Sequence, residues 1–335
     1  QESFVGKPSK KSPMLLRVVV LFFVMLSGIY TCSVCYKQFG RQWSDLPLVT
    51  TQIFDKKPCE LPGIDPSETQ YVHFPKPKTF SRAECECNPV RFFAILTTQR
   101  SGSGWFETLL NSHMNVTSNG EVFSVKPWRS NVSMIITTLD RVYNLDILTS
   151  AAKNECTAAV GLKWMLNQGL LQHHEEILEY FKTRGVSVVF LFRRNLLRRM
   201  ISLLANSYDQ NAKPLNGTHK SHVHSTHEAE VLARYKPTIN TTTLVPDLKQ
   251  LEDLVTKSLQ YFSSTRHIIL YYEDIMNNRT KLAEIQEFLK VPKRRLFSRQ
   301  VKIHKGALPP LIENWDDVKN TLEGTEYQSF LVQDY

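Results

Sequence analysis

The chain has 335 residues, 42% of them hydrophobic, and a formal net charge of +9, which allows one large or two small domains with a full core. A basic surplus can serve nucleic acid, an anionic surface or an anionic cosubstrate, but no zinc-finger, RNA-binding or helix-turn-helix signature is present, so nucleic acid is set aside as a partner. The first residue is Gln rather than Met, and a start upstream of it is expected.

In chain order, residues 1–13 read as a cytosolic tail and 14–35 as a transmembrane signal anchor. The second stretch is apolar apart from Arg17 and a few small polar residues, and as a helix it would extend about 33 Å, enough to cross a bilayer. Lys7, Lys10, Lys11 and Arg17 precede or open it, while only Lys37 and Arg41 follow closely. That asymmetry keeps the amino terminus cytosolic and makes a single-pass type II membrane protein. A cleaved signal peptide is the rival, opposed by the length of the run and the lack of a clear Ala-x-Ala site. Everything after residue 36 is then luminal. Five Asn-x-Ser/Thr acceptors fit a luminal glycoprotein: Asn115, Asn131, Asn216, Asn240 and Asn278. Cys59, Cys85, Cys87 and Cys156 form an even luminal set that allows three disulfide pairings. A Cys85-x-Cys87 zinc half-site is the other reading, but its spacing is tighter than the common knuckle. Cys32 and Cys35 at the membrane exit are open to lipidation, to pairing between chains, or to neither.

Residues 36–89 hold Pro58, Pro62, Pro66, Pro75, Pro77 and Pro89 with little periodicity, the pattern of a stem. From residue 90 the pattern changes to a folded domain that runs to 335. Strand-like runs at 92–97, 158–164, 186–192 and 267–272 alternate with helical stretches at 105–112, 170–182, 196–206 and 248–261. Alternation of this kind implies crossovers, a mostly parallel central sheet and a three-layer α/β/α domain. Ligands of such sheets bind at the carboxyl ends of the strands, where Arg100, Lys163 and Arg194 all fall. Residues 207–243 show no clear apolar period and read as a long excursion over the active face. Within it His219, His222, His224 and His227 lie close together, but no further ligand pattern fixes them as a metal site.

The most informative stretch is Thr98-Gln-Arg-Ser-Gly-Ser-Gly104 between the first strand and a helix starting at Trp105. Ser101, Gly102, Ser103 and Gly104 are small enough for backbone to approach an anion, and the free N–H groups of the helix point at it. Arg100 adds a permanent charge and a planar donor fork. A nucleotide triphosphatase loop would place Lys and then Ser or Thr after the last glycine to hold phosphate and magnesium. Here Trp105 and Phe106 follow, so no metal is expected.

That segment resembles the 5′-phosphosulfate loop of sulfotransferases that use 3′-phosphoadenosine 5′-phosphosulfate (PAPS), most closely the nodulation-type branch and the plant Golgi proteins that carry such a domain. The resemblance implies a P-loop-like sulfotransferase fold over residues 91–331, a place in the Golgi membrane, and PAPS as cosubstrate. A second element of the family, a strand ending in Arg with Ser eight positions later, is matched by residues 186–194 with Arg194 and Ser202. It implies that these hold the 3′-phosphate. The family's Arg-Asp-Pro stands here as Arg194-Asn195-Leu196, and Arg193 precedes it. Side chains alternate along a strand, so one of the two arginines faces the nucleotide, which one being left open.

Sulfuryl transfer needs a base for the acceptor hydroxyl and cations for the leaving oxygen. Glu121, in Ser118-Asn-Gly-Glu-Val-Phe123, follows the helix that leaves the cradle, and in the related branches a Glu of a Gly-Glu pair at this interval is the catalytic base. Lys163 ends a strand, and in tyrosylprotein sulfotransferases a Lys of the corresponding region assists the sulfonate. Arg100 is the other candidate for the bridging oxygen. The segment 300–306 resembles the family's closing lid, with Lys302, His304 and Lys305 reaching phosphate and Gly306 as a joint. Tyr272-Glu273-Asp274-Ile275 matches a family element expected to be structural. The cofactor-site expectation is thus Arg100, Ser101, Gly102, Ser103, Gly104, Trp105, Arg194, Ser202, Lys302, Lys305 and Gly306.

The acceptor is expected to be a carbohydrate or a peptidyl tyrosine, with a homodimer left open. A type II glycosyltransferase shares the membrane plan, but many hold a metal-bound nucleotide sugar through Asp-x-Asp, and the chain has no such triplet. A tethered binding protein without catalysis is the third reading.

Overall fold

The computed structural model describes residues 14–44, 59, 63–147, 149–153 and 156–332. It divides into two units, Gln1–Cys59 and Glu60–Tyr335. The first contains helix α1, Met14–Ser44, which takes in the whole of the expected anchor. Leu21, Phe22, Phe23, Val24, Met25 and Ile29 of this helix are exposed, and a helix apolar on every side offers no polar face to water. Among the described residues no helix is long and apolar enough to cross a membrane, the side chains at both ends of α1 lying outside the described set. The expected tail 1–13 and most of the expected stem before Gly63 also lie outside the described residues.

The second unit carries strands β1 Arg91–Thr97, β2 Val116–Ser118, β3 Ala159–Met165, β4 Val186–Phe192 and β5 His267–Tyr271. They form a five-stranded, wholly parallel sheet in the order β2-β3-β1-β4-β5. Its helices are α2 Ser103–Asn111, α3 Val132–Tyr143, α4 His174–Thr183, α5 Leu196–Ala212, α6 Thr226–Leu232, α7 Thr241–Tyr261, α8 Tyr272–Asn277, α9 Thr280–Phe288 and α10 Trp315–Leu322.

Alternation along β1 divides the core. Phe92, Ala94 and Leu96 face a cluster with Ile135, Leu139 and Val142 of α3 and Ile177 and Phe181 of α4. Phe93 and Ile95 face the other side, against Phe106, Leu109 and Leu110 of α2 and Leu282 and Ile285 of α9. This is the three-layer α/β/α arrangement expected of buried parallel strands. Every residue of β1, β3 and β4 is buried, and each fully buried large side chain contributes about 1.5–3 kcal/mol. A third cluster joins Leu197 and Ile201 of α5, Leu244 and Leu248 of α7, and Val318 and Leu322 of α10.

Three elements differ from the sequence expectation. Strand β2 is only three residues long, too short for a period to show. Helix α7 begins ahead of Pro246, which reads as a breaker, because the Asn240 side chain accepts the N–H of Thr242 and caps it there. The stretch 207–243 is no bare loop: α5 continues to Ala212 and α6 lies within it. Part of the expected stem packs on the second unit, where Arg91 pairs with Glu68 at 2.6 Å and the His73 ring stacks on Phe92 at 3.9 Å. Cys85 forms a disulfide with Cys156, which takes Cys85 out of a zinc half-site.

Candidate functional site

The carboxyl ends of the strands open into a cavity of about 590 Å³. Its floor is the turn between β1 and α2. Gly102 there has φ +79, a left-handed conformation that glycine adopts without steric cost, while Arg100 holds φ +63 as a non-glycine residue. Thr98 and Ser101 share a hydrogen bond between their hydroxyls at 2.7 Å, which fixes the loop from inside. Ser101 is fully buried by this role and does not line the cavity, whereas Arg100, Gly102, Ser103, Gly104 and Trp105 do. Neither glycine leaves open space: a Cβ on Gly102 would lie 2.3 Å from the Tyr272 ring, and one on Gly104 2.3 Å from the His222 ring.

Arg100 reaches across to α5. Its Nε donates to Ser202 Oγ at 2.9 Å, and its Nη1 to the Ser221 carbonyl at 3.0 Å and to Asn206 Oδ1 at 3.4 Å. Residues roughly a hundred positions apart in sequence are therefore in direct contact. Of the two arginines after β4, Arg193 lines the cavity, with a side chain only 9% exposed that lies over the Tyr272 ring at 5.2 Å. Arg194 points away, 51% exposed and paired with Asp274 at 2.6 Å. Glu273 holds the junction by accepting the N–H groups of Arg194 at 3.0 Å and Asn195 at 3.3 Å and pairing with Arg193 at 3.6 Å. The Tyr272–Ile275 element joins β5 to α8 as expected, and Tyr272 in addition forms cavity wall.

The cations of this wall crowd one another. Burial first, and then the Arg193 charge, lowers the proton affinity of Arg100, and the same two causes bring Arg199 down to about 10. Guanidinium does not escape such a field by deprotonating near neutral pH, so the wall keeps a concentrated positive potential suited to an anion.

The opposite wall is built by β2 and β3. The N–H of Lys163 donates to the Gly120 carbonyl at 3.0 Å, which lays the Gly120-Glu121 turn beside β3. Lys163 Nζ lies 3.7 Å from Glu121 and 3.3 Å from Glu107. Glu121 is 29% exposed, lines the cavity and accepts a 2.5 Å hydrogen bond from Gln168 Nε2. Gln168 is placed by an irregular turn in which Gly169 takes φ +82, and its carbonyl accepts the Trp164 indole N–H at 3.0 Å.

Glu107 was not singled out in the sequence, where it is one more helical Glu. Its Oε1 accepts the Ser118 hydroxyl at 2.6 Å and the Gly120 N–H at 2.9 Å. One buried carboxylate thus holds both the turn that presents Glu121 and the lysine beside it. Of the four histidines of the excursion, His222 lines the cavity. His219 instead lies 3.2 Å from Asn206 through Nε2, so the histidine cluster diverges. Among the described residues no group of three metal-ligating side chains forms.

Lys302 and His304 line the cavity, while Lys305 and Gly306 do not. The Gly306 carbonyl accepts from Arg198 Nη2 at 2.6 Å, which makes 306 a tether of the segment to α5.

No family model and no curated protein matches the sequence. Among solved structures, the chain has a distant structural resemblance to two sulfotransferase-fold proteins. One is a sulfotransferase domain from the curacin biosynthetic pathway, 14% identical, with 61% of this chain and 75% of that chain covered and a TM-score of 0.32. The other is a sulfotransferase from Alicyclobacillus acidocaldarius, 11% identical, with 71% and 93% covered and a TM-score of 0.38.

Proposed function

We propose that the protein is a PAPS-dependent sulfotransferase of the nodulation-type, Golgi-membrane group, which transfers a sulfonate to a hydroxyl of a carbohydrate or a peptidyl tyrosine. The observation that carries this reading is the Arg100–Ser202 contact at 2.9 Å. It joins the cradle after β1 to the element after β4 around one cavity, so a ligand with two separate anionic groups has a cationic contact for each.

On this reading Ser103, Gly104 and the first N–H groups of α2 receive the 5′-phosphosulfate, with Arg100 on its bridging oxygen. Arg193, Ser202 and Lys302 receive the 3′-phosphate, and Arg193 takes the place first given to Arg194. Tyr272 and Trp105, edge to face at 5.6 Å, offer an apolar corner for the adenine. Glu121 takes the acceptor's proton while the acceptor oxygen forms its bond to sulfur. The sulfur–oxygen bond to the phosphate breaks, and adenosine 3′,5′-bisphosphate leaves with the electron pair. Lys163, held between Glu107 and Glu121, faces the charge that builds on the transferred group. Because the cradle lacks the Lys and Ser/Thr that hold magnesium in nucleotide triphosphatases, the transfer is assigned no metal.

The test uses the detergent-solubilised full chain with sulfate-labelled donor against a panel of glycans and acidic tyrosine peptides. Transfer that persists with a chelator, and calorimetric binding of adenosine 3′,5′-bisphosphate, are the expected results. Bisphosphate binding without transfer to any acceptor would leave a tethered binding protein. No binding, together with stabilisation by a nucleotide sugar, would favour a glycosyltransferase.

A further inference from the structure

Glycine at 104 reads in the sequence as room for a ligand, but its bare face is covered by this chain. A Cβ there would lie 2.3 Å from Nε2 and 2.5 Å from Cε1 of His222, so the imidazole rests on the first turn of α2, where unpaired N–H groups attract anions. The backbone on both sides of the ring is held. Ser221 gives its carbonyl to Arg100, and Val223 pairs with Val301, the segment that also brings Lys302 and His304 into the cavity. The charged and titratable groups sharing the space with His222 are Arg100 from the turn, Arg193 after β4, Lys163 from β3, Glu121 after β2, Tyr272 from α8, Lys302 and His304, with His224 acting from its own loop.

We propose that His222 is a donor-binding residue of this site: its imidazole contacts the sulfonate-bearing end of the donor at the start of α2 and carries a proton into the complex. This rests on the proposed function and adds to it a titrating ligand drawn from the long excursion rather than from either anion element. The supporting electrostatics have a clear sign. Burial, then Arg100, Lys163 and His224, lower the proton affinity of the free imidazole, an effect that solvent at this exposed residue screens, and the ring is mostly neutral near neutral pH. An incoming phosphosulfate offsets those cations and adds negative charge of its own, which raises the proton affinity of the ring. Binding then takes a proton from solvent, and affinity falls as pH rises through the value of the complex. The proton returns to solvent when the bisphosphate leaves.

The test is calorimetric titration of the full chain with adenosine 3′,5′-bisphosphate at about pH 6.5, the ordinary imidazole midpoint, in two buffers of different ionisation enthalpy. Wild type is expected to take up a fraction of a proton. His222→Asn, which keeps a polar side chain but cannot titrate, should take up less and bind about tenfold more weakly, the loss of one good hydrogen bond. His304→Asn should retain the His222 share. The ratio of wild-type to His222→Asn affinity between about pH 5 and 8, in which the ligand's own phosphates, titrating at about 6, cancel, is expected to decline as pH rises, and His222→Gln repeats the readout in a second variant. Equal proton uptake in wild type and His222→Asn, or a ratio flat with pH, overturns the inference and leaves the proposed function standing. No bisphosphate binding by wild type removes both.

Discussion

The two walls of the cavity handle charge in opposite ways. On the β2–β3 wall every charge has a partner: Lys163 lies between Glu107 and Glu121, and Gln168 donates to Glu121. On the β1–β4 wall the Arg193 charge adds to burial in lowering Arg100 and Arg199, and the two cavity arginines are met by hydroxyls, carbonyls, Glu273 and, more weakly, Asp209. The first wall sets two carboxylates around one lysine, which leaves a single negative charge, and holds its groups in place, which suits proton transfer. The second stores like charge, which suits an anion that arrives and leaves. The comparison teaches that the cation count of a cavity says little until one asks which cations already have a counter-charge.

The largest effect should come from the β2–β3 wall. Glu121→Gln is expected to lower kcat by about 10²–10⁴, the usual worth of a positioned base, with bisphosphate affinity unchanged. Steady-state kinetics beside calorimetry would check it, and normal turnover in the variant would remove Glu121 from the reaction. Next, Arg193→Ala should weaken bisphosphate binding by about 10- to 100-fold, the scale of one charge-assisted contact. Its wild-type binding should also weaken with added salt, read by titration at several ionic strengths.

Glu107→Ala leaves the Ser118 hydroxyl and the Gly120 N–H without their acceptor, at about 1–3 kcal/mol for each buried group left unsatisfied. A lower Tm and a lower kcat are expected together. Glu107→Gln retains an acceptor oxygen and should recover the Tm more fully than the kcat, because only the Lys163 ion pair is then missing.

Acid sharpens the contrast between the two ends of the sheet. His304 in the cavity, and His73 beside Phe92 near the start of β1, are each lowered to about 4 in the folded chain, burial being the first cause in both, while His222 is lowered in the same direction but is exposed, so solvent discounts its share. A folded pKa below the unfolded value of 6.5 means that the unfolded chain binds more protons between these limits. Stability therefore falls as pH drops from 6.5 toward 4, and below about 4 His304 and His73 add no further slope. Saturating bisphosphate should flatten the part due to His222 and His304 and leave that of His73, as read from denaturant midpoints across pH. An identical acid limb with and without the anion would break the comparison. The smallest effect belongs to Arg194→Ala. Its exposed pair with Asp274 is worth less than about 1 kcal/mol, and bisphosphate affinity should not move.

Much of the fold was legible in the sequence because buried parallel strands advertise themselves as short apolar runs. The stretches 92–97, 158–164 and 186–192 fall within a residue of β1, β3 and β4. The cradle was legible for a related reason, since a turn that needs left-handed glycine and small residues is written in consecutive positions. Strand β2 escaped because three residues carry no period, and its pairing with β3 is set by a distant partner. Glu107, and the place of His222 in the cavity, escaped because they exist only through contacts to Gly120 and Gly104 across the fold.

The sequence by itself determined the alternation of strands and helices, the anion-cradle turn, and the placing of cations near strand ends, all of which follow from local geometry and side-chain period. Tertiary structure alone decided that Arg193 rather than Arg194 faces the cavity, that Tyr272 and His222 fill the space above the two glycines, and that Glu107 holds the Glu121 turn. The physical reason is the same in each case: a side chain's direction at the end of a strand, and the partner of a buried charge, are fixed by packing between segments far apart in the chain, which no local pattern encodes.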